Sequence, residues 1–219
     1  MNWNVTFDSW VTALRVTPSG LFAGGVFHVC NGAVTLSLAK LDLTTGSRAQ
    51  GFDAQAQNPG AVLAIARQPD GKLIIGGDFW FAGGLPRQHL ARVKVDGTLD
   101  PFWAPNVDGT VFAIAVSGTN AFVGGAFQKI AGLNRTNLAK LSTQGNDAID
   151  PSWDAKIRGG IVQALALDDT NLFVGGSSLG GTAGKPDAHW SNWPPPDSAL
   201  LIPCGRPTQR QEALFFLCP

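Results

Sequence analysis

An apolar run closing on a Gly-Gly pair recurs four times along this 219-residue chain. It reads Leu21-Phe22-Ala23-Gly24-Gly25, Leu73-Ile74-Ile75-Gly76-Gly77, Ala121-Phe122-Val123-Gly124-Gly125 and Leu172-Phe173-Val174-Gly175-Gly176. The first glycines lie 52, 48 and 51 residues apart. Self-similarity at a period near 50 marks a repeat architecture, in which each unit is too small to bury its own faces and stacks on the next.

The second copy shows what the unit is. Val62 to Arg67 is a short apolar run, and Gln68-Pro69-Asp70-Gly71 carries hairpin-turn chemistry. Lys72 to Gly77 forms a second strand, and a loop runs through Gly83-Gly84-Leu85-Pro86. His89 to Lys94 alternates apolar and polar residues, as a half-buried strand does. Asp96-Gly97 turns the chain again, and Leu99 to Trp103 supplies a fourth strand. Four short antiparallel strands in about 50 residues make one β-propeller blade. The other copies align with it. Val11, Val62, Val111 and Val162 open equivalent first strands, and Leu38, Leu90 and Leu138 each follow their first glycine by 14 residues. The small alanines of the first strands suit crowded positions near a propeller axis. The glycine pairs suit a bulge or a close backbone approach. Trp103 recurs as Trp153, as Phe52 and as Trp3, a spacing that predicts aromatic packing between blades.

The expected fold is therefore all-β, a partial propeller of four-stranded antiparallel blades, about three and a half in number. Residues 1–10 read as the last strand of a missing blade, 11–177 as propeller repeats and 178–219 as an irregular tail. An unclosed propeller exposes blade faces and strand edges, which predicts self-association.

Pro69-Asp70-Gly71-Lys72-Leu73-Ile74-Ile75-Gly76-Gly77-Asp78-Phe79, preceded by Ala64-Ile65-Ala66, resembles the delta-60 repeat family of mainly bacterial propeller domains. The Leu-Ala-Arg or Leu-Ala-Lys strand and the following Asp100-Pro101 with its aromatic are similar to that family as well. The resemblance covers residues 1 to 177. It implies large surface-displayed or secreted proteins without assigned catalysis, and so an extracellular or cell-surface location. The Gly-Gly pair alone also resembles Kelch repeats, more weakly. Those carry Tyr and Trp soon after the pair; here Tyr is absent and Trp follows about 28 residues later.

The tail departs from the pattern. Where a Leu-x-Lys-Leu strand is due, the chain reads His189-Trp190-Ser191-Asn192-Trp193-Pro194-Pro195-Pro196. Read two nucleotides over, the codons of His189 with Trp190 and of Asn192 with Trp193 each force a leucine. Val and Lys are permitted between them, so the hidden text is Leu-Val-Lys-Leu at the expected distance from Gly175. Leu201 to Gly205 can likewise encode Asp-Pro-x-Trp, matching Asp150-Pro151-Ser152-Trp153. This reading places the tail out of frame, predicts that it lacks regular sheet, and leaves Val162 to Gly176 without a third or a fourth strand. It removes functional weight from His189, Trp190, Trp193, Cys204, Cys218 and Glu212.

Chemistry-bearing residues are sparse in the repeats. The 16 basic and 16 acidic residues cancel, so nothing favours nucleic acid, whose phosphates demand a basic excess. No apolar run has the length of a membrane span, and Met1 to Val5 shows no targeting signal. The repeats contain no Glu and no Tyr. Neither His28 nor His89 lies in a nucleophile motif. His28 shares a variable loop position with Trp80 and Gln128, and His89 stands where the next copy has Asn137; both read as surface. Cys30 reads as a small buried hydrophobe, and the Cys and His residues are not clustered as a zinc site requires. Asp53, Asp100 and Asp150 recur near strand ends as caps. Asp168-Asp169-Thr170-Asn171 offers calcium-type oxygens but occupies a hairpin turn. Asn4-Val5-Thr6 and Asn134-Arg135-Thr136 fit the glycosylation pattern.

No catalytic, cofactor-binding or metal residue is assigned. The expectation is a non-catalytic binding or scaffolding module of a larger protein, with a protein or carbohydrate ligand and further blades as its partners. The alternative is a fragment of a propeller enzyme whose catalytic groups lie in missing blades. Sequencing the gene across the codon for Ser177 is expected to show a Leu-x-x-Leu strand followed by Asp-Pro-x-Trp in the restored frame. An uninterrupted present frame overturns that expectation.

Overall fold

A computed structural model describes residues 3–52, 54–145, 149–168, 171–177, 180–181 and 200–203. Every regular element among them is a strand. The first blade comprises β1 (Val11–Thr17), β2 (Gly20–Gly25), β3 (Val29–Cys30), β4 (Ala33–Val34) and β5 (Leu38–Leu41). The second comprises β6 (Ala56–Arg67), β7 (Leu73–Ala82), β8 (Leu85–Pro86) and β9 (Leu90–Val93). In the third, β10 (Thr110–Ser117) and β11 (Asn120–Ala126) lead to β12 (Lys129–Ile130), β13 (Leu133–Asn134) and β14 (Leu138–Ser142). The fourth holds β15 (Ile157–Arg158), β16 (Ile161–Leu167), β17 (Asn171–Ser177), β18 (Gly180–Gly181) and β19 (Leu200–Pro203). Each blade is an antiparallel sheet: β1-β2-β5, β6-β7-β9, β10-β11-β14 and β16-β17-β19.

The loops between second and third strands are tighter than the sequence suggests. In the first and third blades they fold as the small hairpins β3–β4 and β12–β13, and in the second β8 turns back on the end of β7. Asn31-Gly32, Gly83-Gly84 and Ala131-Gly132 turn them with two successive positive φ angles, the backbone of a type I′ turn.

The fourth strand is shorter than Leu99 to Trp103. It enters only as a single bridge, Leu41 to Arg48, Val93 to Leu99 and Leu141 to Ile149. In the second and third blades the Asp-Pro pair explains this. Pro101 has no N–H to give a ladder, and Asp100 turns the chain by accepting the Phe102 N–H at 3.1 Å. Asp150 does the same for Ser152 at 3.0 Å.

Both glycines of the recurring pair have assigned partners. The second faces its own blade: a Cβ on Gly25, Gly77 or Gly125 would strike the carbonyl oxygen of Trp10, Ala61 or Thr110. The first strand bulges there, between Val11 and Ala13, Val62 and Ala64, and Val111 and Ala113. The first glycine faces the next blade. A Cβ on Gly24 would lie 2.6 Å from Val62 Cγ1, and Gly76 and Gly124 stand likewise against Val111 and Val162. Each interface is thus a Val side chain set into the room of a missing Cβ. Ile65, Ile114 or Leu165, three residues on, completes the contact.

The core lies between blades rather than within them. One apolar cluster joins Phe22 and Leu38 to Val62, Ile75 and Phe79, and a second joins Ile74, Leu90 and Trp103 to Val111, Val123 and Ile130. A third joins Phe122 and Leu138 to Val162, Leu172 and Val174. Trp103 and Phe52 are buried at these junctions, and half-buried Trp153 meets Phe122 edge-on at 5.5 Å. Trp3 is more exposed, with its Nε1–H directed to the Asp42 carbonyl at 3.4 Å.

The tail corrects one expectation. Leu200–Pro203 forms the third strand on β17, and Gly180–Gly181 pairs with Ile157–Arg158, so these residues are sheet. An open β17 edge presents unpaired backbone groups, and this short apolar run meets them. Its register differs in residue type: Leu200 pairs with Val174, whereas Ala39 and Ala139 pair with Ala23 and Val123. The expectations on Pro194, Pro195 and Pro196 lie outside the described residues.

Gly124→Ala is expected to cost about 1–3 kcal/mol by overpacking the Val162 contact. Adding Val162→Ala should recover part of that cost, measured as a coupling energy in denaturant unfolding. Gly125→Ala should gain nothing from Val162→Ala, because its obstacle is the Thr110 backbone.

Candidate functional site

The recurring polar residues serve the fold. The residue before each third strand is Ser37, His89 or Asn137, and all three hold φ of 62°. Its carbonyl accepts the N–H of the second glycine at 3.0 Å, and its own N–H donates to the Phe carbonyl two residues past that glycine, at 2.9 Å. Ser37 Oγ then donates to the Gly60 carbonyl at 2.6 Å, and Asn137 Nδ2 to the Gly160 carbonyl at 2.9 Å, tying each blade to the lead-in of the next. His89 is therefore not surface. It is buried, with Nδ1 3.2 Å from the Gly77 carbonyl oxygen and 3.6 Å from the Asp78 carboxylate.

The aspartates are caps, as their recurrence predicts. Asp8 accepts the N–H groups of Val29 and His28, and these bonds hold its pKa below the usual carboxylate value. Asp108 accepts those of Gln128 and Lys129. Burial pushes the Asp100 carboxyl up, but the Phe102 N–H and the Arg92 guanidinium outweigh it and lower the pKa. Arg92 meets Asp100 at 2.8 Å and donates to the Thr143 and Gly145 carbonyls of the third blade. Its guanidinium also lies 5.3 Å from the Trp103 ring centre. Asp53 lies outside the described residues. Asp168 closes its turn with Asn171, whose backbone N–H donates to the carboxylate at 2.6 Å.

Sequence reasoning missed Arg87 and Arg135. Each wraps the Asp-Pro turn of its blade: Arg87 donates to the carbonyls of Asp100 and Pro101, Arg135 to those of Pro151 and Trp153. Their shared place three residues past a hairpin Gly-Gly or Ala-Gly was the available signal.

Among the described residues, two surfaces suit a ligand. The first is an axial groove of about 230 Å³ where the first strands of all four blades converge. Its walls are Ile65, Ile114, Leu165 and small alanines, and its charged groups are Arg15 and Arg67. The second is the β7–β8 hairpin. Trp80 stands there with half its surface exposed, beside exposed Phe81 and Leu85, at the position held by His28 and Gln128 in the neighbouring blades. His28 is exposed, as expected. Cys30 is buried, and burial pushes its thiol pKa up. Asn4 and Asn134 are exposed. His189, Trp190, Trp193, Cys204, Glu212 and Cys218 lie outside the described residues. Among the described residues no three His, Cys, Asp or Glu side chains gather as a metal site, and no helix is long and apolar enough to cross a membrane.

Comparison with known families gives one match: residues 68–102 fit the family described as "Domain of unknown function (DUF5122) beta-propeller". That stretch runs from the first hairpin turn through β7, β8 and β9 to the Asp-Pro turn. The chain matches no curated protein.

Bonds from Ser152 and Lys140 hold the Asp150 carboxyl at about 2. A folded-state pKa below the unfolded value of about 4 contributes stability that is complete above the unfolded pKa. It is lost as pH falls from about 4 through 2. Thermal melts across that window should show the loss, and Asp150→Asn should reduce it without abolishing it, because Asp8 and Asp100 are also held low by native bonds.

Proposed function

We propose that this chain is a non-catalytic repeat module of the delta-60 class that binds a protein or carbohydrate ligand, as part of a larger surface or secreted protein. The observation that carries the reading is Trp80. The hairpin position it occupies differs in every blade, whereas the recurring polar residues are committed to turns, caps and blade-to-blade ties. A half-exposed indole, set edge-on to the buried His89 ring at 6.2 Å, offers a flat apolar face to a sugar ring or an apolar side chain, contacts of the kind that dominate recognition surfaces.

The axial groove fits the same reading. Among the described residues it combines apolar walls with two guanidinium groups, a lining suited to holding a ligand with an apolar body and an anionic or hydrogen-bond-accepting group.

Titration with soluble oligosaccharides, followed by tryptophan fluorescence and calorimetry, tests the proposal. Trp80→Ala is expected to weaken binding at least about tenfold, a loss of about 1.4 kcal/mol. The variant should stay folded with a modestly lowered melting temperature, since half of the indole is buried and meets the His89 ring edge-on. Equal binding by the variant, or chemical turnover of the bound sugar, would sink the reading.

A further inference from the structure

We propose that two copies of this chain associate head to tail into one closed propeller, with Val11 and Leu14 of each copy seated against Gly175 of the other. The three internal interfaces supply the template. In each, the first glycine of one blade accepts a Val from the next, backed by the Ile or Leu three residues later: Gly24 takes Val62 and Ile65, Gly76 takes Val111 and Ile114, Gly124 takes Val162 and Leu165. The equivalent pair of the first blade is Val11 and Leu14, and the equivalent socket of the fourth is Gly175.

Both ends of the arc are unfilled among the described residues. Leu14 is 63% exposed and Val16 66%, while their counterparts Ile114 and Val116 pack against the core. Trp10, next to Val11, is 79% exposed. At the other end, a Cβ on Gly175 would meet, among the described residues, Ala164 of its own blade at an ordinary 3.6 Å. Gly175 is half-buried where Gly24, Gly76 and Gly124 are buried. Ala164 and Ala166 are exposed where Ala113 and Ala115 are buried. The occupant that fits the fourth blade is thus a strand opening with Val and carrying a branched aliphatic side chain three residues on. The first strand of this same chain is such a strand.

The contact is heterologous, so it runs to a filament unless it closes. Four sheets from each of two copies make eight, within the range of closed propellers. Closure makes both interfaces at once and covers both exposed faces.

Sedimentation of the full chain is expected to give a single species of twice 23.0 kDa. Leu14→Glu and Gly175→Val should each raise the dissociation constant at least about tenfold. Neither change touches the packed interior, and far-UV circular dichroism of each variant should match the wild type. If Gly175→Val alters that spectrum, Val16→Lys at the opposite face serves in its place for the loss of association. Mixing Leu14→Glu with Gly175→Val leaves one knob and one socket intact, so the mixture should form a dimer that neither variant forms alone. A monomeric wild type, open-ended polymers, or a mixture that stays monomeric would each overturn the proposal.

Discussion

Each blade of this chain is joined to the next by a valine side chain occupying the volume that a glycine leaves empty. The arrangement needs both residues. A larger residue at Gly24, Gly76 or Gly124 would push the blades apart, and a smaller one at Val62, Val111 or Val162 would leave a void at the most buried point of the contact. Everything else at the interface follows from the close approach thus permitted. The apolar clusters span two blades because the sheets come near enough to share them. The second glycine admits the bulge that aims the valine outward. The residue at positive φ then locks the strand end against that bulge with a pair of backbone bonds.

Polar chemistry follows the same economy. Arg92 lies deep in the second blade, yet its guanidinium pairs with Asp100, reaches two carbonyls of the third blade and stacks on Trp103. A buried ion pair is weak evidence for stability in itself. This one also closes backbone acceptors across the interface, which fixes how the two blades are set against each other. With the repeated side chains so committed, individuality is confined to the hairpin rims and the axial groove, and Trp80, Arg15 and Arg67 are found there.

The period, the strand order and the burial of Cys30 and Trp103 were legible in the sequence, because repetition displays the same local chemistry several times. The Gly-Gly pair announced a close approach, but not what approached. The partner of Gly76 is Val111, 35 residues on, and only the stacked fold brings them together. His89 was misread for a related reason: Ser37, His89 and Asn137 look like a tolerant surface position, whereas they share a left-handed backbone. The Asp-Pro pair could have warned that the fourth strand stops after one bridge. The groove was not legible at all, since it is made by Arg15 and by three-residue runs from three other strands far apart in the chain. Nor was the strand at Leu200–Pro203, whose pairing comes from the vacancy at β17 rather than from any repeat of the pattern.

Because the main contacts between strands of different blades, among the described residues, join consecutive blades, one copy free of any partner behaves energetically as a short one-dimensional array. In such an array stability is a sum of unit and neighbour contributions, and the two end units, each with a single neighbour, open first. Disorder would therefore enter at the first and fourth blades and travel inward, with the second and third as the last to melt. The strand at Leu200–Pro203, recruited from outside the repeat, lies on an end blade, where loosening and re-pairing come most easily.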